Sequence, residues 1–396
     1  MRQIPIKIFV TNILLIAIAA YFLFPYSNHF IWPWDDGNNF YPAFAFQKNQ
    51  LPNIDYVNGY PGFMTWILSF FPDVVKAKTA GLSIGGLAAI IAFWIGDRLE
   101  GTWAGILSFL FVLEFGIIRW HSPNAGWAML LLSSAALLCL SSAITGLQQK
   151  SAFMFWMIFG SFFVGLSCSF KQSGIFPVFA WIQCLAVIVD TTRLRKILLL
   201  VLVAFLPFAA FLILRVARTF LDVPMNSIII IPWALSLALS FQMGRSNSVR
   251  VISSSFFASS IFVTGLGMLA WTSLYGTMKS AALAFQEMYV RIPRLIDRHQ
   301  IRIEIPRFNE ILSRMVRGLA NLDSSDQYFL VVLGSFILSI FIWKKLSLHN
   351  KILILFSFTT LASGFPYSGN LMYDSVFIIL IYIVLKIGRA SCRERV

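Results

Sequence analysis

Long apolar runs separated by short polar breaks fill this chain almost from end to end. A helical bilayer crossing needs about 16 to 23 mostly apolar residues. On that measure spans fall near 8–26, 75–96, 102–118, 125–146, 152–169, 174–190, 197–214, 227–242, 251–274, 327–343, 352–364 and 371–387. The pattern predicts an all-α polytopic membrane protein of about twelve transmembrane helices. The short run 63–71 predicts a further half-helix, and a helix is predicted from Asn38 to Lys48, with Pro42 suited to its first turn. The first span follows Arg2 and Lys7 but precedes no small-residue cleavage site, so it reads as a retained helix and not a signal peptide. No tandem repeat, low-complexity tract or second soluble domain interrupts residues 1–386, which read as one domain.

Composition closes off the soluble alternatives. Hydrophobic residues make up 58% of the chain and charged residues 12%, with 39 Phe, more than a soluble globule carries. A net charge of +14 would suggest a nucleic-acid partner in a soluble protein. Here Lys and Arg fall mainly in the gaps between spans, where they set topology, and no nucleic-acid partner is expected. Arg2 and Lys7, Arg193 to Lys196, Arg245 with Arg250, and Lys344, Lys345 and Lys351 fall on one side, the cytoplasm. The other side receives a long first extracytoplasmic loop, 27–74, with Asp35, Asp36, Asp55 and Asp73, and a second loop, 275–326. The second loop interleaves apolar residues with Arg291, Arg294, Arg298, Arg302 and Arg307, a pattern for lying on the membrane surface. It would there touch anionic lipid or hold a lipid-linked phosphate.

Cys139, Cys168, Cys184 and Cys392 show neither metal nor redox spacing. The last ten residues, Ile387 to Val396, read as the in-frame translation of a sequencing adapter, so the natural C-terminus is expected to be missing.

Candidate chemistry gathers in the first outer loop. Ionised groups are costly to hold beside hydrocarbon and tend to mark chemistry, an ion path or a ligand. Asp35 and Asp36 follow the interfacial residues Trp32 and Trp34 and precede the predicted helix, where one carboxylate could simply cap the N-terminus. Capping accounts for one carboxylate better than for two. Lys171 stands at the outer end of a span, either a phosphate contact or an interfacial anchor. Arg119 and His121 are charges at another span end, with the same two readings. Asp55 follows Pro52 and Asn53 and suits a turn as well as a ligand site.

These residues resemble a pattern of the integral-membrane glycosyltransferases of the C-type fold (GT-C), a polyprenyl-phosphate-sugar-dependent superfamily that includes the dolichyl-phosphate-mannose-protein mannosyltransferases. In it an acidic motif opens the first outer loop, followed by a Tyr and small residues on a juxtamembrane helix, a Pro-containing turn with an acid, and a Pro pair. The corresponding residues here are Asp35-Asp36, Tyr41 with Ala43, Gln50 to Asp55, and Gly59-Tyr60-Pro61-Gly62. Lys171-Gln172 and Gly364 to Gly369 extend the resemblance, which covers 1–190 and, more thinly, the remainder. Tyr60 stands where members carry a donor-binding Lys, and Gly62 where the second Pro falls. An acid common at the end of the third or fourth span is replaced by Arg119 to Asn124, leaving His121 and Asn124 as substitutes.

The resemblance implies transfer of a sugar from a polyprenyl-phosphate-linked donor to a glycan, lipid or protein acceptor at the extracytoplasmic face of a bacterial-type inner or plasma membrane. It implies inversion, with Asp35 as general base and Asp36 assisting it or holding acceptor or a divalent cation; no other cofactor is called for. Lys171, Gln172, Arg119 and His121 become donor-phosphate ligands, and Asp55, Tyr41 and Tyr60 acceptor or loop residues. Two other classes fit the same charges: a transporter or flippase, favoured by Glu114 inside the third span, and a non-catalytic membrane subunit of envelope glycan assembly.

Overall fold

The computed structural model describes residues 3–28, 35–56, 61–114, 125–145, 150–171, 174–188, 193, 196–203, 238–240, 254–287, 340–341, 343–346 and 348–361. Helix dominates, and among these residues the nearest thing to a strand is an isolated bridge between Pro52 and Tyr56. The helices are α1 (Gln3–Ser27), α2 (Asp35–Gln47), α3 (Phe63–Ser69), α4 (Val74–Glu100), α5 (Thr102–Phe111), α6 (Ala125–Thr145), α7 (Lys150–Phe170), α8 (Ile175–Ile188), α9 (Ser254–Leu269), α10 (Met278–Gln286) and α11 (Leu348–Leu361).

Four of them, Ile6–Ser27, Val74–Arg98, Ala125–Ile144 and Ala152–Phe170, are long and apolar enough to cross a bilayer. They coincide with four of the predicted spans, and the chain is a multi-pass membrane protein. The predicted span 251–274 is α9 continued by a 3-10 turn (Ala270–Tyr275), after which the chain bends by 101° into α10. Gly276 makes the bend with φ 67°, and the Thr277 side chain caps α10 by accepting from the Ser280 amide. Residues 102–118 and 174–190 are represented by the shorter α5 and α8. Of the remaining predicted spans, 371–387 lies outside the described residues and 197–214, 227–242, 327–343 and 352–364 only partly within them.

α1 touches the bundle with one stripe only. Leu15, Ala19 and Leu23, spaced four apart, are buried against α4, where Gly86 receives Leu23, while Phe9, Ile13 and Phe24 face outward as lipid-facing residues should. The main core joins α6, α7, α8 and α11 around Trp181, which is fully buried, donates to Ser161 Oγ at 3.0 Å and brings the edge of its six-membered ring against Gly160.

One end of this bundle carries a lid of short elements. Phe40 and Ala43 of α2, Met64 and Leu68 of α3, Ala77 of α4, Ala125 and Ala128 of α6 and Phe170 of α7 form one buried cluster. The N-termini of α4 and α6 and the C-terminus of α7 therefore meet beneath α2 and α3. The loop 27–74 thus folds over the helix ends as two short helices, as the sequence pattern led one to expect.

Candidate functional site

α2 begins at Asp35, three residues earlier than predicted, so Asp35 and Asp36 form its first turn and do not precede it. The first turn of a helix presents unpaired amides and the positive end of its dipole, and acidic residues are favoured there. Pro42 stands as the eighth residue, past the first turn, and withholds the amide that would bond the Asn38 carbonyl. The helix ends in a Schellman motif: the Asn49 amide donates to Phe46 O at 3.0 Å and the Gln50 amide to Ala45 O at 3.1 Å, with Asn49 left-handed at φ 61°.

The segment that follows is tied back onto α2. Asp55 closes a turn, its Oδ2 accepting from the Leu51 amide at 2.7 Å, and its side chain is exposed, which favours the turn role over the ligand role. The Tyr56 hydroxyl donates to Pro42 O at 2.9 Å, and its ring meets Tyr41 edge-on at 6.2 Å. Burial first, then the neighbouring Tyr275, Tyr41 and Asp55, pushes the Tyr56 phenol far above its ordinary range, so it acts as a neutral donor. Tyr41 itself is exposed.

Gly62 has a physical reason to be glycine. A Cβ there would stand 3.0 Å from Pro52 Cγ and 3.2 Å from the Tyr275 hydroxyl, so this segment rests directly on the elbow after α9. The Tyr275 hydroxyl is buried close to Asn53, without a hydrogen bond of good geometry. At the far end of α2, Gln47 Nε2 donates to Ser69 O at 2.7 Å and Phe71 O at 2.9 Å, fastening α2 to α3. Replacing Gln47 by Ala removes both bonds. A loss of about 1–2 kcal/mol in stability is expected, with faster amide exchange along α2, read by hydrogen exchange in detergent.

Asp73 caps α4, accepting from the Lys76 amide at 2.8 Å and pairing with Lys76 Nζ at 3.2 Å. The amide bond first, and then the lysine, hold its carboxyl below its ordinary range.

Two buried lysines lie at this end of the bundle. Lys171 follows α7 directly and is 2% exposed, so it is not a snorkelling interfacial anchor. Its carbonyl accepts from the Gly174 amide at 2.9 Å, and Ser167 Oγ bonds both Val164 O and Gly174 O, closing a tight turn into α8. Burial pushes its ammonium group down to about 7. Lys78, five residues into α4, is fully buried. Sequence reading passed over Lys78, although a lysine inside a span is itself a signal.

Arg119, His121, Gln172 and Tyr60 lie outside the described residues, as does most of the basic loop 275–326. Glu114 ends the α5 segment and is exposed on the bundle surface, not buried within it. Among the described residues no three His, Cys, Asp or Glu side chains are grouped to hold a metal ion.

No protein family matches the chain, and no curated protein matches it. Among solved structures it is similar to the oligosaccharyltransferase of Archaeoglobus fulgidus, in complex with Zn and sulfate, at 10% identity and a TM-score of 0.45 over 97% of this chain. The chain spans about half of that protein, 49%. It is also similar to ArnT from Cupriavidus metallidurans bound to undecaprenyl phosphate, at 14% identity and a TM-score of 0.37, over 93% of this chain and 78% of that one. At such scores similarity alone assigns no function.

Proposed function

We propose that this chain is a membrane glycosyltransferase of the C-type fold that moves a sugar from a polyprenyl-phosphate-linked donor to an acceptor hydroxyl or amine on the extracytoplasmic side. One observation carries the reading: the helix that opens with Asp35 and Asp36 is packed over the bundle end where Lys171 is buried. A carboxylate pair and a desolvated cation at one membrane-proximal site are the parts such a transfer needs.

In the reaction Asp35 takes the acceptor proton as the acceptor oxygen or nitrogen bonds to the anomeric carbon. The bond from that carbon to the phosphate oxygen breaks in the same displacement, inverting the configuration, and polyprenyl phosphate leaves with the electron pair. Lys171 meets the phosphate oxygens as their charge grows. Asp36 holds its neighbour and the acceptor in place, and Arg119, His121 and Gln172 are further phosphate contacts on this reading. Tyr41 and Tyr60 border the acceptor. Asp55 shapes the loop, and a divalent cation at the Asp35–Asp36 pair would assist the leaving phosphate.

Lys171 gives the reading a pH signature. A phosphodiester stays anionic across the working range, whereas Lys171 is cationic below about 7 and neutral above it. Donor binding therefore weakens as pH rises through 7, with the donor KM climbing by about tenfold per pH unit at the alkaline end. Lys171→Met raises the donor KM by about 10- to 100-fold at pH 6 and flattens this dependence. The measurement is transfer of labelled sugar from a polyprenyl-phosphate donor by purified protein between pH 5.5 and 8.5. An unchanged donor KM in Lys171→Met removes Lys171 from the site.

A further inference from the structure

Trp271 and Tyr275 of the elbow and Ala281 and Ala284 of α10 form one buried cluster, against which Leu51 and Phe63 pack from the segment between α2 and α3. Trp271 meets Tyr275 edge-on at 5.4 Å, which fixes the tyrosine ring. Pro52 Cγ and the Tyr275 hydroxyl both close on the point a Cβ of Gly62 would occupy, so the two ends of that segment converge on one ring. Two bonds carry the contact on to α2. The Asn53 amide donates to Tyr56 O at 2.7 Å, and the Tyr56 hydroxyl donates to Pro42 O at 2.9 Å. That second bond grips α2 at the proline that interrupts its own hydrogen-bond ladder. The Tyr275 hydroxyl is buried without a partner of good geometry, a cost to stability, so the ring and not the hydroxyl supports the segment.

We infer that Tyr275 is a positioning residue for the helix that opens with Asp35: its ring seats Leu51, Pro52 and Gly62, and Tyr56 passes that constraint to α2. The elbow after α9 therefore sets where α2 lies over the bundle end. The kinetic consequence of this inference rests on the transferase reading, and the contact itself does not.

The test is amide hydrogen exchange, read by mass spectrometry on the full chain in detergent. Tyr275→Ala removes the seat and raises exchange over residues 40–56 by about tenfold or more, while α6 keeps its wild-type protection. Tyr275→Phe keeps wild-type exchange, because the ring remains. Gly62→Val wedges the segment off the ring and raises exchange over the same residues; joined with Tyr275→Ala it adds nothing further, since the vacated space takes the valine. Tyr56→Phe breaks only the bond to Pro42 and loosens α2, and adding Tyr275→Ala to it raises exchange in α2 no further. Unchanged exchange over 40–56 in Tyr275→Ala, or effects that multiply in either double variant, overturn the inference. Should Tyr275→Ala fail to fold, Tyr275→Leu takes its place in both double variants, with the same outcomes deciding. In transfer assays Tyr275→Ala lowers kcat by about tenfold or more and leaves the donor KM in place, and Tyr275→Phe retains the wild-type kcat. A raised donor KM with kcat unchanged would assign the elbow to the donor and overturn its role in placing α2. A wild-type protein without transfer activity removes the transferase reading, while the exchange series still decides the seat.

Discussion

Asp35→Asn lowers the rate of sugar transfer by about 10²- to 10⁴-fold, the contribution of a positioned general base. The substitution keeps the shape of the side chain and removes only its ability to take a proton, so the donor KM stays near the wild-type value. Because α2 opens at Asp35 and is fastened at its other end by Gln47, the variant retains the helix that carries it. Asp36→Asn lowers the rate less, since on this reading Asp36 assists Asp35 and does not itself take the proton. The two variants therefore separate by the size of the rate loss, larger for Asp35 than for Asp36. The assay is transfer of labelled sugar by purified protein, with the unfolding midpoint of each variant measured in the same detergent. Full activity in both variants would falsify the catalytic assignment of the pair.

What the sequence made legible depended on the range of the physics involved. Membrane spans are set by local hydropathy, and α1, α4, α6 and α7 lie where the apolar runs put them. The half-helix predicted over 63–71 is α3, for the same reason. α2 begins earlier than expected, with Pro42 inside it, and the tie from the Tyr56 hydroxyl to the Pro42 carbonyl fourteen residues away has no local sequence signal. The bend after α9 did leave local signals, a glycine at Gly276 and a capping Thr277, but a hydropathy count reads through both. Contacts such as Gly62 with Tyr275 join segments more than two hundred residues apart, and no local pattern encodes them. The burial of Lys78 belongs to the same class, since only the packing of other helices around α4 separates a snorkelling lysine from a buried one.

Gly165→Leu abolishes the folded state in detergent or lowers its unfolding midpoint by about 10 °C or more, the largest stability loss expected of any single substitution described here. A Cβ on Gly165 of α7 would collide with the Thr264 carbonyl oxygen of α9, and one on Gly267 of α9 would stand 2.6 Å from the Phe162 carbonyl oxygen of α7. The two glycines face each other's backbones, so α7 and α9 cross at a distance only small residues permit. Ser169 Oγ adds a hydrogen bond to Gly267 O at 3.3 Å across the same crossing. No rotamer relieves a Cβ that meets a backbone atom, so the helices must separate, and the separation reaches the site. α7 ends at Phe170, directly before Lys171, and α9 leads to the Tyr275 elbow on which Gly62 rests. Even Gly165→Ala, if it folds, therefore moves the buried lysine relative to the acid-bearing helix and loses transfer activity out of proportion to its stability. Thermal unfolding and transfer rate measured on the Ala and Leu variants read the two effects. Wild-type values for Gly165→Ala would show that α7 and α9 do not cross this closely.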